Sequence, residues 1–147
     1  MSALPARELA AGQAVAGATA EAEWAQLQAA APQAVMTIHR YLRQLGTFLA
    51  PRSVEAAESA LRQFARWLVT QTQITAIAQI GRDDIEDYKV RLAAKRLAAG
   101  QVISAETRRQ RMRTVRQFFE RIIEWDWPEA PPRNPLSQCR RVGYPIA

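Results

Sequence analysis

Apolar residues recur at every third or fourth position in four stretches of the chain, which is typical of helices with one buried face. The pattern predicts helices at about residues 33–49, from Ser53 onward, from Asp83 to Gly100, and from Ser104 to Trp125. No stretch alternates between apolar and polar residues as a half-buried strand does. The predicted fold class is therefore all-α, with four helices packed as two hairpins.

The fourth predicted helix has the clearest pattern. Its apolar stripe consists of Met112, Val115, Phe118, Phe119, Ile122 and Ile123. Ser104 precedes it as a suitable N-cap, and Glu106 favours the positive end of the helix dipole. At about 100° per residue, Arg109, Arg113 and Arg116 fall in one narrow wedge beside the stripe. Such a row predicts an anionic partner, of which a nucleic-acid backbone is the best candidate.

Local signals set the ends of the other helices. Ala50-Pro51 ends the first helix, because the residue before a proline avoids the α region. Ser53 is the predicted cap of the second helix, whose buried stripe comprises Val54, Ala57, Leu61, Phe64 and Leu68. Asp83 with Glu86 fits a capping box, and Gly100 a C-terminal stop. In the second helix, Arg62 and Arg66 are expected to point away from the stripe.

The flanks of the helical region are less patterned. Residues 1–32 are rich in alanine; residues 21–31 could form a helix with Trp24 and Leu27 on one side, but nothing in the sequence requires it to dock. We expect an extension that is at least partly mobile. After Trp127 come four prolines among eight residues, which predicts a linker and tail at residues 128–147. The predicted domain therefore covers residues 33–127.

Composition and charge narrow the class of protein. A chain of 147 residues makes one ordinary domain, and its formal net charge is +6. Residues 1–32 carry a net charge of −2, so the remainder carries +8. Clustered positive charge indicates a nucleic acid, an anionic membrane or an acidic protein as partner. A lone Cys139, with no signal peptide or membrane-spanning run, predicts a cytoplasmic protein without membrane contact.

Residues for an active site are scarce. His39 is the only histidine, and its position at the edge of an apolar face predicts a structural or solvated role. The acidic cluster of Asp83, Asp84, Glu86 and Asp87 fits helix capping better than a metal site. Tyr41 and Tyr88 fit core positions. Phosphate loops, dinucleotide fingerprints and paired cysteines are absent from the sequence. We therefore predict no catalytic residue, metal or cofactor.

Two groups of arginines remain as candidate binding residues. Arg108 and Arg111 extend the row on the fourth helix, and Arg62 with Arg66 forms a shorter row that Arg52 precedes. The guanidinium fork donates two hydrogen bonds to a phosphate and keeps its charge. The alternative is a solvated helix face that nearby glutamates partly neutralise. These glutamates are Glu55, Glu58, Glu106 and Glu120.

The order of three segments resembles the core-binding domain of tyrosine recombinases and phage integrases. RSVEAAESALRQFARWL (52–68) is similar to its "Ser-x-x-Thr…Leu-Arg-x-Phe-x-x-Trp/Phe-Leu" helix, although Ala56 replaces the usual threonine. IAQIGRDDIEDYKVRL (77–92) is similar to "Leu-x-x-Ile-Thr-x-x-Asp-Ile-x-x-Tyr". ISAETRRQRMRTVRQFFERIIEWDWPEAPPRNPL (103–136) is similar to the closing helix and the Asn-Pro pair that follows it, with Met112 at the common leucine position.

The resemblance implies a SAM-like orthogonal four-helix bundle that forms half of a C-shaped clamp around duplex DNA. The second and fourth helices of such domains face the DNA. Transferred by position, the implied DNA contacts are Arg62, Arg66, Arg108, Arg109, Arg113 and Arg116.

The family's catalytic half, with its arginine, lysine, His-x-x-Arg and tyrosine nucleophile, has no counterpart in this sequence. We expect a DNA-binding chain for recombination or integration that does not cut DNA itself and whose partners are duplex DNA and the catalytic domain of a parent recombinase. Alone it should be a monomer, and a higher assembly on DNA stays open. Two alternatives stay open at this point: a helical protein-interaction module with exposed arginines, and a helix-turn-helix regulator.

Overall fold

The computed structural model describes residues 19–97 and 99–136, and within them the regular structure is entirely helical. Residues 19–30 are helical and form α1. The other helices are α2 (Pro32–Leu45), α3 (Pro51–Gln71), α4 (Arg82–Ala94) and α5 (Ala105–Glu124), with a 3₁₀ turn at Ile77–Gln79. The predicted all-α class is confirmed.

The core lies where α3 contacts both α2 and α5. Tyr41, Phe64, Phe118 and Phe119 are its largest fully buried side chains. Tyr41 meets Phe118 edge-on with ring centroids 4.9 Å apart, and Phe64 meets Phe119 in the same way at 6.3 Å. These rings come from the apolar stripes that the sequence pattern predicts for the first, second and fourth helices, so their buried faces are confirmed.

Helix α1 departs from the expectation of an undocked extension. Trp24, Leu27 and Ala31 are buried in the common core, with 9%, 4% and 1% of their surface exposed. The indole N–H of Trp24 donates to Glu58 Oε2 at 2.7 Å, and its ring meets His39 edge-on. Residues 19–31 are therefore part of the packed domain, while residues 1–18 lie outside the described part of the chain.

Two predicted boundaries around Pro51 shift by a few residues. Helix α2 ends at Leu45 instead of residue 49, and a turn places the Phe48 side chain at the surface with 53% exposed. Helix α3 begins at Pro51, and no side chain caps it, so Ser53 is not the N-cap. Proline suits the first helical position because its ring fixes φ and that position needs no amide donor.

The capping box of α4 lies two residues before the predicted one. The backbone N–H of Gly81 donates to Asp84 Oδ2 at 2.8 Å, so the pair Asp83 and Glu86 does not form the predicted box. Helix α4 ends at Ala94, before Gly100. Gly100 has φ +89° and turns the chain between Arg96 and Val102, which form an isolated antiparallel bridge.

Helix α5 begins as predicted. The backbone N–H of Thr107 donates to Ser104 Oγ at 3.1 Å, which confirms Ser104 as the N-cap. Among the described residues, no helix is long and apolar enough to cross a membrane.

Part of the proline-rich segment after α5 packs back on the bundle. The side-chain amide of Asn134 donates to the carbonyl oxygen of Arg116 at 3.3 Å, and Leu136 is buried. Residues 128–136, expected to be linker, thus lie against the helix that carries the arginine row. The rest of the predicted tail, including Cys139 and Tyr144, lies outside the described residues.

Candidate nucleic-acid interface

A groove of about 490 Å³ runs between α4 and α5 and collects most of the predicted DNA contacts. Its lining consists of Lys89 and Leu92 from α4, and Ala105, Arg108, Arg109, Met112, Arg113 and Arg116 from α5. Five of these eight residues are cations, and none is acidic or aromatic. The groove is therefore strongly positive along one side of α5.

The helical repeat explains why the four arginines share the groove. Steps of three and four residues keep Arg109, Arg113 and Arg116 on one flank of α5, because neighbouring turns superpose, and Arg108 lies beside this flank in the first turn. The buried stripe of Val115, Phe119 and Ile122 fixes how the helix is rotated on the core. Arg109 and Arg113 are exposed, whereas Arg108 and Arg116 are half-buried.

Few carboxylates neutralise the arginines of the groove. Arg109 Nη2 lies 2.7 Å from Glu106 Oε1, and this hydrogen bond holds the pKa of Glu106 below its ordinary value. In the described part of the chain, Arg108, Arg113 and Arg116 form no ion pair. Nε of Arg108 and Nε of Arg116 are buried and have no hydrogen-bond partner there. Buried donors without partners are costly, so an anion that accepted from them would be stabilised.

The second predicted row, Arg62 and Arg66 of α3, lies outside this groove and already has anionic partners. Glu23 of α1 accepts from Arg66 Nε and, at 2.8 Å, from Arg66 Nη2. Arg62 Nη1 lies 2.7 Å from Glu58 Oε2, and Arg62 Nε lies 3.4 Å from Glu23 Oε1. Both side chains contact α1; that of Arg62 is 19% exposed and that of Arg66 is 42% exposed.

Glu23 is the residue that sequence reasoning missed in this ion-pair cluster. The hydrogen bond with Arg66 is the main cause that lowers the pKa of Glu23 and raises the pKa of Arg66. The sequence shows that residues 1–32 have an acidic bias. It does not show that this segment packs on α3, so it could not identify Arg62 and Arg66 as the partners of Glu23. Lys89 was missed as well, because only the packing of α4 beside α5 brings it to the groove.

The remaining sequence candidates have structural roles. Tyr41 and Tyr88 are confirmed as core residues, 1% and 3% exposed. Glu86 pairs with Arg82, and Asp87 pairs with Arg91. No group of three or more potential ligands that could hold a metal ion occurs among the residues described. His39 is half-buried against Trp24, and this burial is the main cause that lowers its pKa.

Comparisons of the chain with protein-family models, with curated proteins and with solved structures give no match.

Proposed function

We propose that this chain binds duplex DNA through the groove between α4 and α5, mainly by contacts to phosphates. The observation that carries the proposal is a lining with five cations and no carboxylate, in which, among the residues that the structure describes, only Arg109 has a paired anion. Guanidinium groups suit this role because each donates two parallel hydrogen bonds to a phosphate and stays charged.

The length of the row fits several consecutive phosphates. Arg108 and Arg116 are eight residues apart, which corresponds to about 12 Å along α5 at a rise of about 1.5 Å per residue. One DNA strand carries a phosphate for roughly every 3.4 Å of helix axis. Successive phosphates along the backbone are farther apart than this axial rise, so the row can engage more than one phosphate of one strand.

The lining favours duplex over single-stranded DNA. Proteins that bind single strands combine positive charge with aromatic side chains on which bases stack. The groove offers Leu92 and Met112 as apolar residues but no aromatic ring. Because the opposite side of α5 is buried in the core, the helix can lie along a backbone, and we expect phosphate contacts to dominate over base reading.

We further propose that the chain serves as a SAM-like core-binding domain of a tyrosine recombinase, with strand cleavage performed by a catalytic domain outside this sequence. The order of the three motif segments supports this, and α2 to α5 follow one another as the resemblance implies. Helix α1 is an addition to that four-helix pattern. Its Glu23 pairs with Arg62 and Arg66, so we assign the DNA contacts to Lys89, Arg108, Arg109, Arg113 and Arg116.

Charge reversal in the groove tests the proposal against its main rival, an arginine-rich module that binds acidic proteins. We expect the chain to bind a 20-bp duplex more tightly than the matched single strand or poly-glutamate, and Arg113→Glu to weaken duplex binding at least ten-fold. Arg43→Glu on α2 makes the same charge change outside the groove and should weaken binding much less. Equal losses in the two variants, or preference for poly-glutamate, would contradict the proposed function.

A further inference from the structure

A second cavity, of about 280 Å³, lies between α3, α4 and α5 beside the α4–α5 groove. Arg111, predicted to extend the arginine row, lines this cavity and not the groove, and Leu92 lines both. Its charged lining comprises Arg66, Arg91, Lys95 and Arg111, and its aromatic lining comprises Trp67 and Tyr88. The two rings pack together with centroids 5.1 Å apart. Three helices thus build a small concave site with cations around a rigid aromatic wall.

The charges of this cavity are only half compensated. Arg66 is paired with Glu23, and Arg91 Nε lies 2.8 Å from Asp87 Oδ2. Lys95 and Arg111 form no ion pair within the described ranges. Burial is the main cause that lowers the pKa of Lys95, followed by repulsion from Arg66 and Arg111, while Glu23 opposes the shift. Four cations and two neighbouring carboxylates leave a net charge of about +2.

Two polar groups in the lining have no partner. Tyr88 is 97% buried (3% exposed), and its hydroxyl oxygen forms no hydrogen bond with any described residue. Nη1 of Arg111 is buried and equally unpartnered. Burial raises the pKa of Tyr88 to about 12, and the positive charge of Arg111 opposes this rise. The hydroxyl is therefore protonated at neutral pH and can donate to an anion, as Arg111 can.

We propose that this cavity binds the terminal, dianionic phosphate of a phosphomonoester. In this proposal Tyr88 and Arg111 donate hydrogen bonds to the phosphate oxygens, and binding requires the Arg111 side chain to move, because the Tyr88 hydroxyl and Arg111 Nη1 are both buried in the free chain. Lys95 supplies the second positive charge. A monoester phosphate carries a charge close to −2 at neutral pH, which matches the surplus in the cavity.

A terminal phosphate fits this site better than an internal DNA phosphate. An internal phosphodiester carries one negative charge, and its two ester substituents would both have to leave the cavity. A terminal monoester carries close to two negative charges and has only one substituent, so it can enter a concave site. The same chemistry occurs in a nucleoside monophosphate and at a phosphorylated DNA end.

The test uses the full chain and simple phosphates as probes in calorimetric titrations. We expect methyl phosphate to bind saturably and dimethyl phosphate, the diester, at least ten-fold more weakly. Tyr88→Phe should weaken methyl phosphate binding about ten-fold, since it removes one hydrogen bond to a charged group. Its thermal stability should stay equal or rise, because the variant removes a buried hydroxyl that has no partner among the described residues.

A second variant and a control separate this site from the DNA groove. Lys95→Met should also weaken methyl phosphate binding about ten-fold, whereas Arg113→Ala in the groove should leave it unchanged. The inference is overturned if methyl phosphate does not saturate by about 10 mM, well beyond millimolar affinity. It is equally overturned if the diester binds as well as the monoester, or if neither Tyr88→Phe nor Lys95→Met weakens binding.

Two further titrations identify the source of the phosphate, and each positive result supports the site. Tighter binding of adenosine monophosphate than of methyl phosphate indicates a small nucleotide. Tighter binding of a 5′-phosphorylated duplex than of its 5′-hydroxyl counterpart indicates a DNA end. Loss of duplex binding in the groove variants does not affect the methyl phosphate result, so the two proposals fail independently.

Discussion

At the scale of single residues, arginines with similar spacing on α3 and α5 differ in their ion pairs, because different side chains surround them. Arg113 and Arg116 line the α4–α5 groove and have no carboxylate partner among the described residues, whereas Arg62 and Arg66 meet Glu23 across the α1–α3 contact. The sequence predicts that these side chains lie outside the apolar stripes. It could not predict which of them find an anion, because Glu23 and Arg66 are 43 residues apart and meet only in the folded chain.

Replacing Glu23 tests the ion-pair cluster. Glu23→Gln should lower the free energy of unfolding by about 1 kcal/mol, the upper range for partly exposed ion pairs. Because Arg66 lowers the folded-state pKa of Glu23, this stabilisation is complete above the ordinary value of 4.5 and is lost as the pH falls through the lower folded value.

Urea unfolding at pH 7 measures the effect, and a double-mutant cycle with Arg66→Gln isolates the pair. Glu55→Gln, an exposed glutamate of α3, is the matched control and should change stability by less than about 0.5 kcal/mol. A coupling energy of zero between Glu23 and Arg66 would show that the pair does not stabilise the docked α1.

His39 should make stability depend on pH near neutrality. Burial against Trp24 and repulsion from Arg43 lower its folded-state pKa below the ordinary 6.5, while Glu58 acts in the opposite direction. The neutral ring is therefore the stable form in the folded chain. Stability should be complete above pH 6.5 and fall as the pH drops below it, because the unfolded chain then binds more protons.

Melting temperatures at pH 7.5 and 5.5 check this expectation. His39→Gln cannot titrate in this range and should lose less stability between the two values than the parent. An identical loss in both proteins would assign the pH dependence to other groups.

At the scale of whole elements, the buried face of a helix could be predicted where apolar residues recur regularly, as in α5, but not where they are few, as in α1. The stripe of α5 and its Ser104 cap were predicted residue by residue, because buried Val115, Phe118, Phe119 and Ile122 leave little choice of face. Helix α1 offers only two large apolar residues among alanines, so its docking depends on a matching surface formed by other helices. Small shifts of the α2, α3 and α4 ends reflect turn geometry that several residues satisfy equally well.

Truncating Trp24 tests the docking of α1. Trp24→Ala should lower the free energy of unfolding by about 3 kcal/mol, since it removes a large buried ring and its hydrogen bond to Glu58. Met36→Ala, on an exposed site of α2, should change stability by less than about 0.5 kcal/mol. Equal and small effects of both substitutions in urea unfolding would mean that α1 does not contribute to the core.

At the scale of the whole molecule, positive charge is divided between two neighbouring surfaces. One is the α4–α5 groove with its arginine row, and the other is the α3–α4–α5 cavity with its half-compensated cations. The fold class, the buried faces and the α5 row could be predicted from the sequence. The sequence could not predict that Lys89 lines the groove or that Glu23 of α1 pairs with the arginines of α3, because both depend on how separate helices pack.

The most direct test of the central claim is the salt dependence of duplex binding, measured by fluorescence anisotropy between 50 and 200 mM salt. With about four or five engaged cations, affinity should fall on the order of 10²–10³-fold across this range. Arg113→Ala and Arg116→Ala should each reduce the slope of log K against log salt by about 0.9, while Arg43→Ala leaves it unchanged. If both groove variants keep the parent slope, the arginine row of α5 does not hold the DNA backbone.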